Sequence, residues 1–514
     1  MTHYPADTVL ALLARGADTA TAIGTPKAGD VSREPLTHAG LRALAVRTIT
    51  DLNGFGIGRG DRVAMVLPNG PEMASGFLAI ACGATTAPLN PGYKTDEFDF
   101  YLSDLNAKAL VVQQGVETPA RAAAEARGIP VIELIPSGPS GYFTLQPIGA
   151  LTGVAAHPGP AEAEDVALVL HTSGTTSRPK IVPLRHINVT ASAYHIGENL
   201  ALTPDDVCLN IMPLFHIHGL IAATLSSIAA GGSVYCTPGF NAFRFFTQFD
   251  EVRPTWFTAV PTMHQAIEGL SARNKEVIAR GRLRFIRSSS ASLPPQVMEA
   301  VEKAFGTPVI ESYGMTEAAH QMASNPLPPR PHFAGSVGVA AGPDIAVMAE
   351  DGTILPQGEL GEIVIRGRNV TAGYENNPSA NATAFTNGWF RTGDQGILDE
   401  LGYLRLTGRL KELINRGGEK ISPIEVDTIL MDHPAVEQAL TFAMPHDKLG
   451  EEVACAVVLR EGLTATDHEL RAFAGIRLAA FKVPRKIVFL QEIPKGATGK
   501  LMRIGLAEKL GLTS

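Results

Sequence analysis

Val166-Ala-Leu-Val-Leu-His-Thr-Ser-Gly-Thr-Thr-Ser-Arg-Pro-Lys180 decides how this chain is read. Its first five residues are an unbroken apolar run, the mark of a strand buried on both faces. The next ten form a loop of small hydroxyl side chains around Gly174, closed by Lys180. Helix-like sequence follows around Asn188 to Leu200, and strand, loop, helix in that order predicts an α/β layer with largely parallel pairing. A phosphate chain needs many short donors and a backbone that can approach closely. Thr172, Ser173, Gly174, Thr175 and Thr176 provide both, and Lys180 adds a cation. The loop is not a Walker loop, because Pro179 stands where the second glycine of G-x-x-x-x-G-K-[ST] belongs. Taken alone, the segment also reads as a Ser/Thr-rich surface turn.

The alternation extends outward. Arg62–Leu67 and Ala107–Val112 read as buried strands, and Leu41–Leu52 and Pro119–Arg127 as helices. Gly54-Phe-Gly-Ile-Gly-Arg-Gly60 fails G-x-G-x-x-G in every register and precedes a strand, so it reads as a loop. Gly219–Gly232 is the most apolar stretch; it is too short to span a bilayer and carries serines, so a core helix is expected. A chain of 514 residues exceeds one core. After about residue 400 the composition changes: a short strand over Gly402–Gly408 gives way to a charged stretch with a flexible glycine pair, Gly417-Gly418. The expected division is a large domain, 1–409, of layered α/β subdomains with mostly parallel sheets, and a small mobile α+β domain, 410–514.

A formal net charge of −8 gives no electrostatic case for nucleic acid. Cys82, Cys208, Cys236 and Cys455 are far apart without a CxxC, which argues against a metal cluster or disulfide framework and for a reducing compartment. There is no basic region followed by a long apolar one at the start, and the last residues are not a Ser-Lys-Leu address. A cytoplasmic protein without a membrane partner, monomeric or homodimeric, is the expectation.

Three further motifs carry chemistry. In Glu311-Ser-Tyr-Gly-Met-Thr-Glu317, strand-like Pro308–Glu311 feeds a glycine turn that presents Thr316 and Glu317. A carboxylate beside a hydroxyl suits Mg²⁺ on a triphosphate, and Tyr313 offers a flat face for adenine; a capped helix start is the alternative. In Gly388-Trp-Phe-Arg-Thr-Gly-Asp394, with Arg409 downstream, an aspartate after a glycine can accept from ribose hydroxyls, although Thr-Gly-Asp is also a common turn. Pro494-Lys-Gly-Ala-Thr-Gly-Lys500 presents a lysine in a glycine-bracketed turn, suited to a carboxylate oxygen and an α-phosphate; a solvated lysine is the alternative.

These motifs, in this order over nearly the whole chain, resemble the adenylate-forming superfamily of acyl-CoA synthetases, peptide-synthetase adenylation domains and luciferases. The resemblance implies substrates ATP, CoA and a small carboxylic acid, with Mg²⁺: the acid joins the α-phosphate, pyrophosphate leaves, and a thiol then takes the acyl group. It implies Thr172 to Lys180 on the phosphates and Glu317, with Thr316, on Mg²⁺. Ser290, Ala291, Glu311, Tyr313 and Gly314 would lie at adenine, Asp394 and Arg409 at ribose, and Lys500 and His216 at the reacting carboxylate. Lys411 would be the hinge on which the small domain turns, bringing Gly417 and Gly418 to the CoA side. Ser177 and Ile181 depart from the glycines most members carry.

This variant loop resembles that of the oxalate–CoA ligase group, as do Phe215-His-Ile-His-Gly219, Met315-Thr-Glu-Ala-Ala-His-Gln321 and the stretch Ile414–Val426. Imidazoles and hydroxyls at His216, His218, His320, Ser289 and Ser290 suit a second small carboxylate that an apolar tunnel would exclude. Some of these histidines could instead be core residues with satisfied hydrogen bonds. Oxalate is therefore the expected acid, with malonate, a 4-coumarate-like acid or a medium-chain fatty acid as alternatives. Transfer to a carrier protein and a catalytically dead nucleotide-binding scaffold are the competing readings. No carrier-like sequence follows the Lys500 loop, and Lys180, Glu317, Asp394 and Lys500 are all present.

Overall fold

The computed structural model describes residues 4–27, 29, 31–172, 179–495 and 500–512. The apolar run at Val166 becomes a strand, Val166–Thr172, in a seven-stranded sheet. Val131–Pro136, Ala109–Gln113, Arg62–Val66, Thr85–Pro88 and Val166–Thr172 run parallel in that order. Phe143–Pro147 and Lys180–Arg185 close the two edges antiparallel.

That last strand corrects the sequence reading. The hydroxyl segment links two antiparallel strands, with Thr172 opposite Lys180, and the helix begins only at His186. Ile181, Val182 and Leu184 are buried, which gives this short segment its own reason to pair. Pro183 in its middle disguised it, and an edge position is where a strand tolerates proline.

A second, nine-stranded sheet has six parallel strands at its centre. In spatial order they are Thr21–Gly24, Ser233–Cys236, Val207–Asn210, Trp256–Ala259, Phe285–Ser288 and Val309–Met315. Leu36–Thr37 pairs antiparallel on one side, His320–Ser324 and Val339–Ala340 on the other. Helix Pro71–Ala81 is buried along its whole length and touches strands of both sheets. One apolar cluster, containing Leu41, Phe77, Leu168, Ile196 and Trp256, joins them. The apolar stretch after Gly219 is helical, as expected, but winds first as a π-helix, His218–Leu225, and then as an α-helix, Ser226–Ala229. Gly219 is required there, because a Cβ would lie 2.4 Å from the Pro213 carbonyl oxygen.

The region after Asp344 departs from the parallel pattern. Asp344–Met348, Gly361–Arg366, Trp389–Leu398, Phe385–Thr386 and Leu404–Arg409 form a wholly antiparallel sheet. The short links on either side of Trp389–Leu398, from Phe385–Thr386 and to Leu404–Arg409, leave no room for a crossover helix. Arg409 ends that sheet, and Ile414 starts the next. The fourth sheet joins Ile414–Arg416, Glu419–Ile421, Val436–His446 and Gly450–Leu459 antiparallel, with Lys486–Phe489 parallel to the last. Helices Pro423–Met431 and Asp467–Gly475 accompany it. Gly417 and Gly418, at φ 59° and 101°, form its two-residue hairpin turn. The pair is thus a turn of defined geometry rather than a flexible linker, and left-handed φ at both positions is what such a turn demands. All four cysteines are free and buried. Among the described residues no group of three or more His, Cys, Asp or Glu side chains is arranged to hold a metal, and no helix is long and apolar enough to cross a membrane.

Candidate active site

The carboxyl ends of the parallel strands are where an α/β sheet binds ligands, and strand Val309–Met315 delivers Glu311 and Tyr313 there. Gly314 is part of this strand, not of a turn as the sequence suggested. It lies opposite Gln321, and a Cβ would meet the His320 carbonyl oxygen at 1.8 Å. The turn comes next, a 3₁₀ turn over Thr316–Ala318 closed by Ala319 at φ 48°.

Tyr313 and Arg409 converge on Asp394. The Tyr313 hydroxyl donates to Oδ2 at 2.5 Å and Arg409 Nε donates to Oδ1 at 3.0 Å. Asp394 is therefore not in a turn; it faces Arg409 across an antiparallel pair, after Gly393 at φ 74°. Burial and the Asp394 charge raise the Tyr313 phenol pKa, so it stays a donor. A carboxylate accepts up to about four hydrogen bonds, which leaves Asp394 capacity for ribose hydroxyls. Glu311 is 2 % exposed and its Oε1 accepts from the Leu293 backbone N–H at 2.8 Å. Burial pushes its pKa up to about 8. Its carboxyl braces the segment that carries Ser290 and the exposed Ala291.

Glu317 is buried, and its Oε1 accepts from the Tyr374 hydroxyl at 2.8 Å. Burial raises its pKa, while Tyr374, Lys180 and Arg409 act the other way. The Lys180 ammonium sits 3.9 Å from the centre of the Tyr374 ring, a cation–π contact. Burial lowers the Lys180 pKa; Glu317 opposes that and Lys411 reinforces it. Among the described residues the buried Thr172 hydroxyl has no partner. Ser173, Gly174, Thr175 and Thr176, and the departure at Ser177, lie outside the described residues. Tyr374 was not anticipated: the sequence offers only a tyrosine after a glycine in Thr371-Ala-Gly-Tyr-Glu375.

The histidines differ from one another. His218 is fully buried with both ring nitrogens engaged, Nε2 with Thr258 Oγ1 at 2.6 Å and Nδ1 with Ser290 Oγ at 3.0 Å. It holds Ser290, itself at φ 74°, in a strained backbone conformation. Ser289 turns away and donates to the Ser312 carbonyl at 3.0 Å. His320, 1 % exposed and at φ 92°, has neither ring nitrogen partnered among the described residues; its ring centre is 5.1 Å from that of His218. His216 is partly exposed, accepts the His218 N–H on Nδ1 at 3.4 Å, and has its pKa lowered to about 3 by burial and the Lys500 charge. All three imidazoles are thus neutral at neutral pH. Beneath them lies Arg287, fully buried on strand Phe285–Ser288, a residue that nothing in its sequence neighbourhood singled out.

Lys500 lies where its charge acts on His216, His218 and His320 on one side and feels Arg409, Asp394 and Glu317 on the other. Burial and Arg409 bring its pKa down to about 8, against the pull of Asp394, Glu317 and Glu412. The chain just beyond it is tied back by Arg503, which pairs with Glu412 at 3.3 Å and Asp427 at 2.9 Å. Exposed Lys411 adjoins Glu412, and Gly417 and Gly418 are exposed on their hairpin. The fold thus gathers Lys180, Glu317, Asp394, Arg409, Lys500 and the three histidines around one locus.

The profile of the AMP-binding enzymes matches residues 15–375, and that of the AMP-binding enzyme C-terminal domain residues 425–500. The chain is 46 % identical over 479 residues to an oxalate–CoA ligase of Arabidopsis thaliana, covering 91 % of this chain and 92 % of that protein. It is 42 % identical over 481 residues to an oxalate–CoA ligase of Saccharomyces cerevisiae, covering 89 % and 88 %. The crystal structure of ATP-bound MatB from Rhodopseudomonas palustris superposes with a TM-score of 0.86 at 30 % identity over 98 % of each chain.

Proposed function

This chain belongs to the AMP-binding enzyme family and is an acid–CoA ligase that uses ATP, and from that premise we propose that its acid is oxalate, converted through oxalyl-adenylate to oxalyl-CoA. The observation that carries the choice of acid is His320: a buried imidazole with both nitrogens unpartnered among the described residues, beside His218 and Ser290, in the wall that would receive the acid. Unpaired buried polar groups cost about 1–3 kcal/mol each, a cost that a small polar substrate removes and an alkyl or aryl chain does not. The two oxalate–CoA ligases among the relatives support the same reading.

In the first half-reaction the carboxylate attacks the α-phosphorus, the bond to the β-phosphate breaks and pyrophosphate leaves. Lys180 and the hydroxyl loop hold the triphosphate, and Asp394 with Arg409 holds the ribose, while the Tyr313 ring lies along the adenine. Glu317 and Thr316 present hard oxygens and fit Mg²⁺: the Glu317 carboxylate is buried with its pKa raised, a state an adjacent cation relieves. Bound there, Mg²⁺ supplies charge neutralisation on the phosphates. Lys500, charged and flanked by Asp394 and Glu317, meets the developing charge between carboxylate and α-phosphate. Neutral His216 borders the carboxylate without adding a competing proton. In the second half-reaction the domain after Arg409 turns at Lys411, withdraws Lys500 and brings Gly417-Gly418 to the CoA thiol.

A pyrophosphate-release assay with ATP, Mg²⁺ and CoA over a panel of carboxylic acids tests this, with Lys500→Ala as control. Oxalate-selective turnover that disappears in the variant is expected. Turnover of medium-chain fatty acids or cinnamates in preference to oxalate sinks the choice of acid.

A further inference from the structure

Arg287 lies in strand Phe285–Ser288, opposite Thr258 on one neighbouring strand and Ile310 on the other, at the centre of the nine-stranded sheet. It is fully buried. Its Nη2 donates to Gln321 Oε1 at 3.1 Å, a neutral partner, and among the described residues neither Nε nor Nη1 has one. A guanidinium carries five donors and no acceptor, and an uncompensated buried cation is among the costliest features a core can hold. Burial lowers its pKa only to about 9, so the charge persists at neutral pH.

The groups around it have the same need. Gln321 uses its oxygen on Arg287, and among the described residues its Nε2 and both nitrogens of His320 have no partner. The Arg287 charge is near enough to oppose protonation of His218 and His320. Unused donors therefore cluster under the histidine wall around a cation for which the described residues supply no carboxylate. A buried arginine is the residue of choice for a carboxylate, since its planar fork matches the two oxygens.

We propose that Arg287, with the Gln321 amide and His320, forms the subsite that holds the second, non-reacting carboxylate of a short dicarboxylic acid. This inference rests on the reading of the acid pocket given above and extends it from polarity to charge. The subsite makes the enzyme select diacids over monoacids of the same size: a monoacid leaves the buried guanidinium uncompensated.

The test compares wild type, Arg287→Met and Arg287→Lys in pyrophosphate release with oxalate and with glyoxylate, which lacks the second carboxylate. Thermal melting and the KM for ATP are measured alongside. In Arg287→Met, kcat/KM for oxalate falls on the order of 100-fold, mostly through KM, while that for glyoxylate holds or rises. Arg287→Lys, which keeps the charge but loses the fork, falls between them. Equal losses on both acids, or an unchanged oxalate KM, overturns the proposal. If Arg287→Met does not fold, Arg287→Lys decides: a raised oxalate KM with an unchanged ATP KM supports the subsite, and no change in either overturns it. Wild type that turns over malonate and not oxalate, with the diacid preference lost in the variant, keeps the subsite and refutes oxalate. Wild type that prefers monoacids refutes both.

Discussion

Replacing Glu311 by glutamine isolates the energetics of one buried carboxyl beneath the site. Glu311 is 2 % exposed, with Oε1 held by the Leu293 N–H and Oε2 without a partner among the described residues. Burial raises its pKa from 4.5 to about 8, against the pull of that one hydrogen bond. A group whose pKa is raised in the fold binds its proton more tightly folded than unfolded. Its contribution is thus fully present below pH 4.5, declines as pH rises, and is lost above about pH 8. At about 1.4 kcal/mol per pH unit, the whole window is worth about 5 kcal/mol. Glutamine keeps the acceptor for Leu293 and has no charge to gain. Its amide protons occupy the place where the protonated carboxyl already carries an unpartnered O–H, so the substitution costs little at acid pH. Melting of both proteins from pH 5 to pH 9 should show coincident midpoints at the acid end and a difference that grows in favour of Glu311→Gln, reaching roughly 5 °C at pH 9. Groups that titrate elsewhere affect both proteins alike and cancel in the difference. A constant difference, or one that shrinks as pH rises, refutes the reasoning.

Two further outcomes follow from the same geometry. The Lys500 pKa of about 8 means the charged form is lost above that pH, so kcat/KM for ATP in adenylation should fall about tenfold per pH unit beyond it. Lys500→Arg should displace that limb toward higher pH, and a limb that stays in place in the arginine variant assigns it to another group. Gly314→Ala drives a Cβ against the His320 carbonyl at 1.8 Å and should raise the KM for ATP while costing about 1–3 kcal/mol. Gly306→Ala, at φ 62° with open space around it, should cost about 1 kcal/mol and leave that KM alone; equal behaviour of the two in the ATP assay would refute the assigned role of the strand.

Residues were legible in the sequence where chemistry restricts their type, and hidden where only the fold makes them meaningful. Val166–Leu170 reads as a buried strand because five apolar residues in a row leave few other structures. Lys180, Glu317, Asp394 and Lys500 stand out because phosphate, cation and ribose each demand a particular side chain beside small residues. Lys180–Arg185 was missed because Pro183 interrupts its pattern and its pairing partner lies across the hydroxyl loop. The antiparallel sheet over Asp344–Arg409 was missed because strand direction depends on connections rather than on periodicity. The histidines stood out by type, but nothing local distinguishes the doubly bonded ring of His218 from the unpartnered ring of His320.

Arg287 is the extreme case, and it bears on how substrate choice is encoded. Read along the chain, Leu283-Arg-Phe-Ile-Arg-Ser288 is a strand with two arginines, either of which could reach solvent. The fold separates them. Arg284 pairs with Asp206 at 2.9 Å, the ordinary fate of an arginine near a surface, while Arg287 is buried with two donors unused. Alternation along the strand does not by itself tell which residue meets a counter-charge. The difference arises from what the crossover chains place above each position: the loop before Val207 supplies Asp206 to one arginine, and strand His320–Ser324 supplies only the neutral Gln321 to the other. A catalytic group must meet the same phosphates in every such enzyme, so its sequence neighbourhood is constrained and can be read directly. A specificity group answers only to one substrate, and its mark is an imbalance of donors over acceptors that exists only after strands distant in sequence have packed. In this chain that imbalance centres on Arg287, and a negatively charged group is what would correct it.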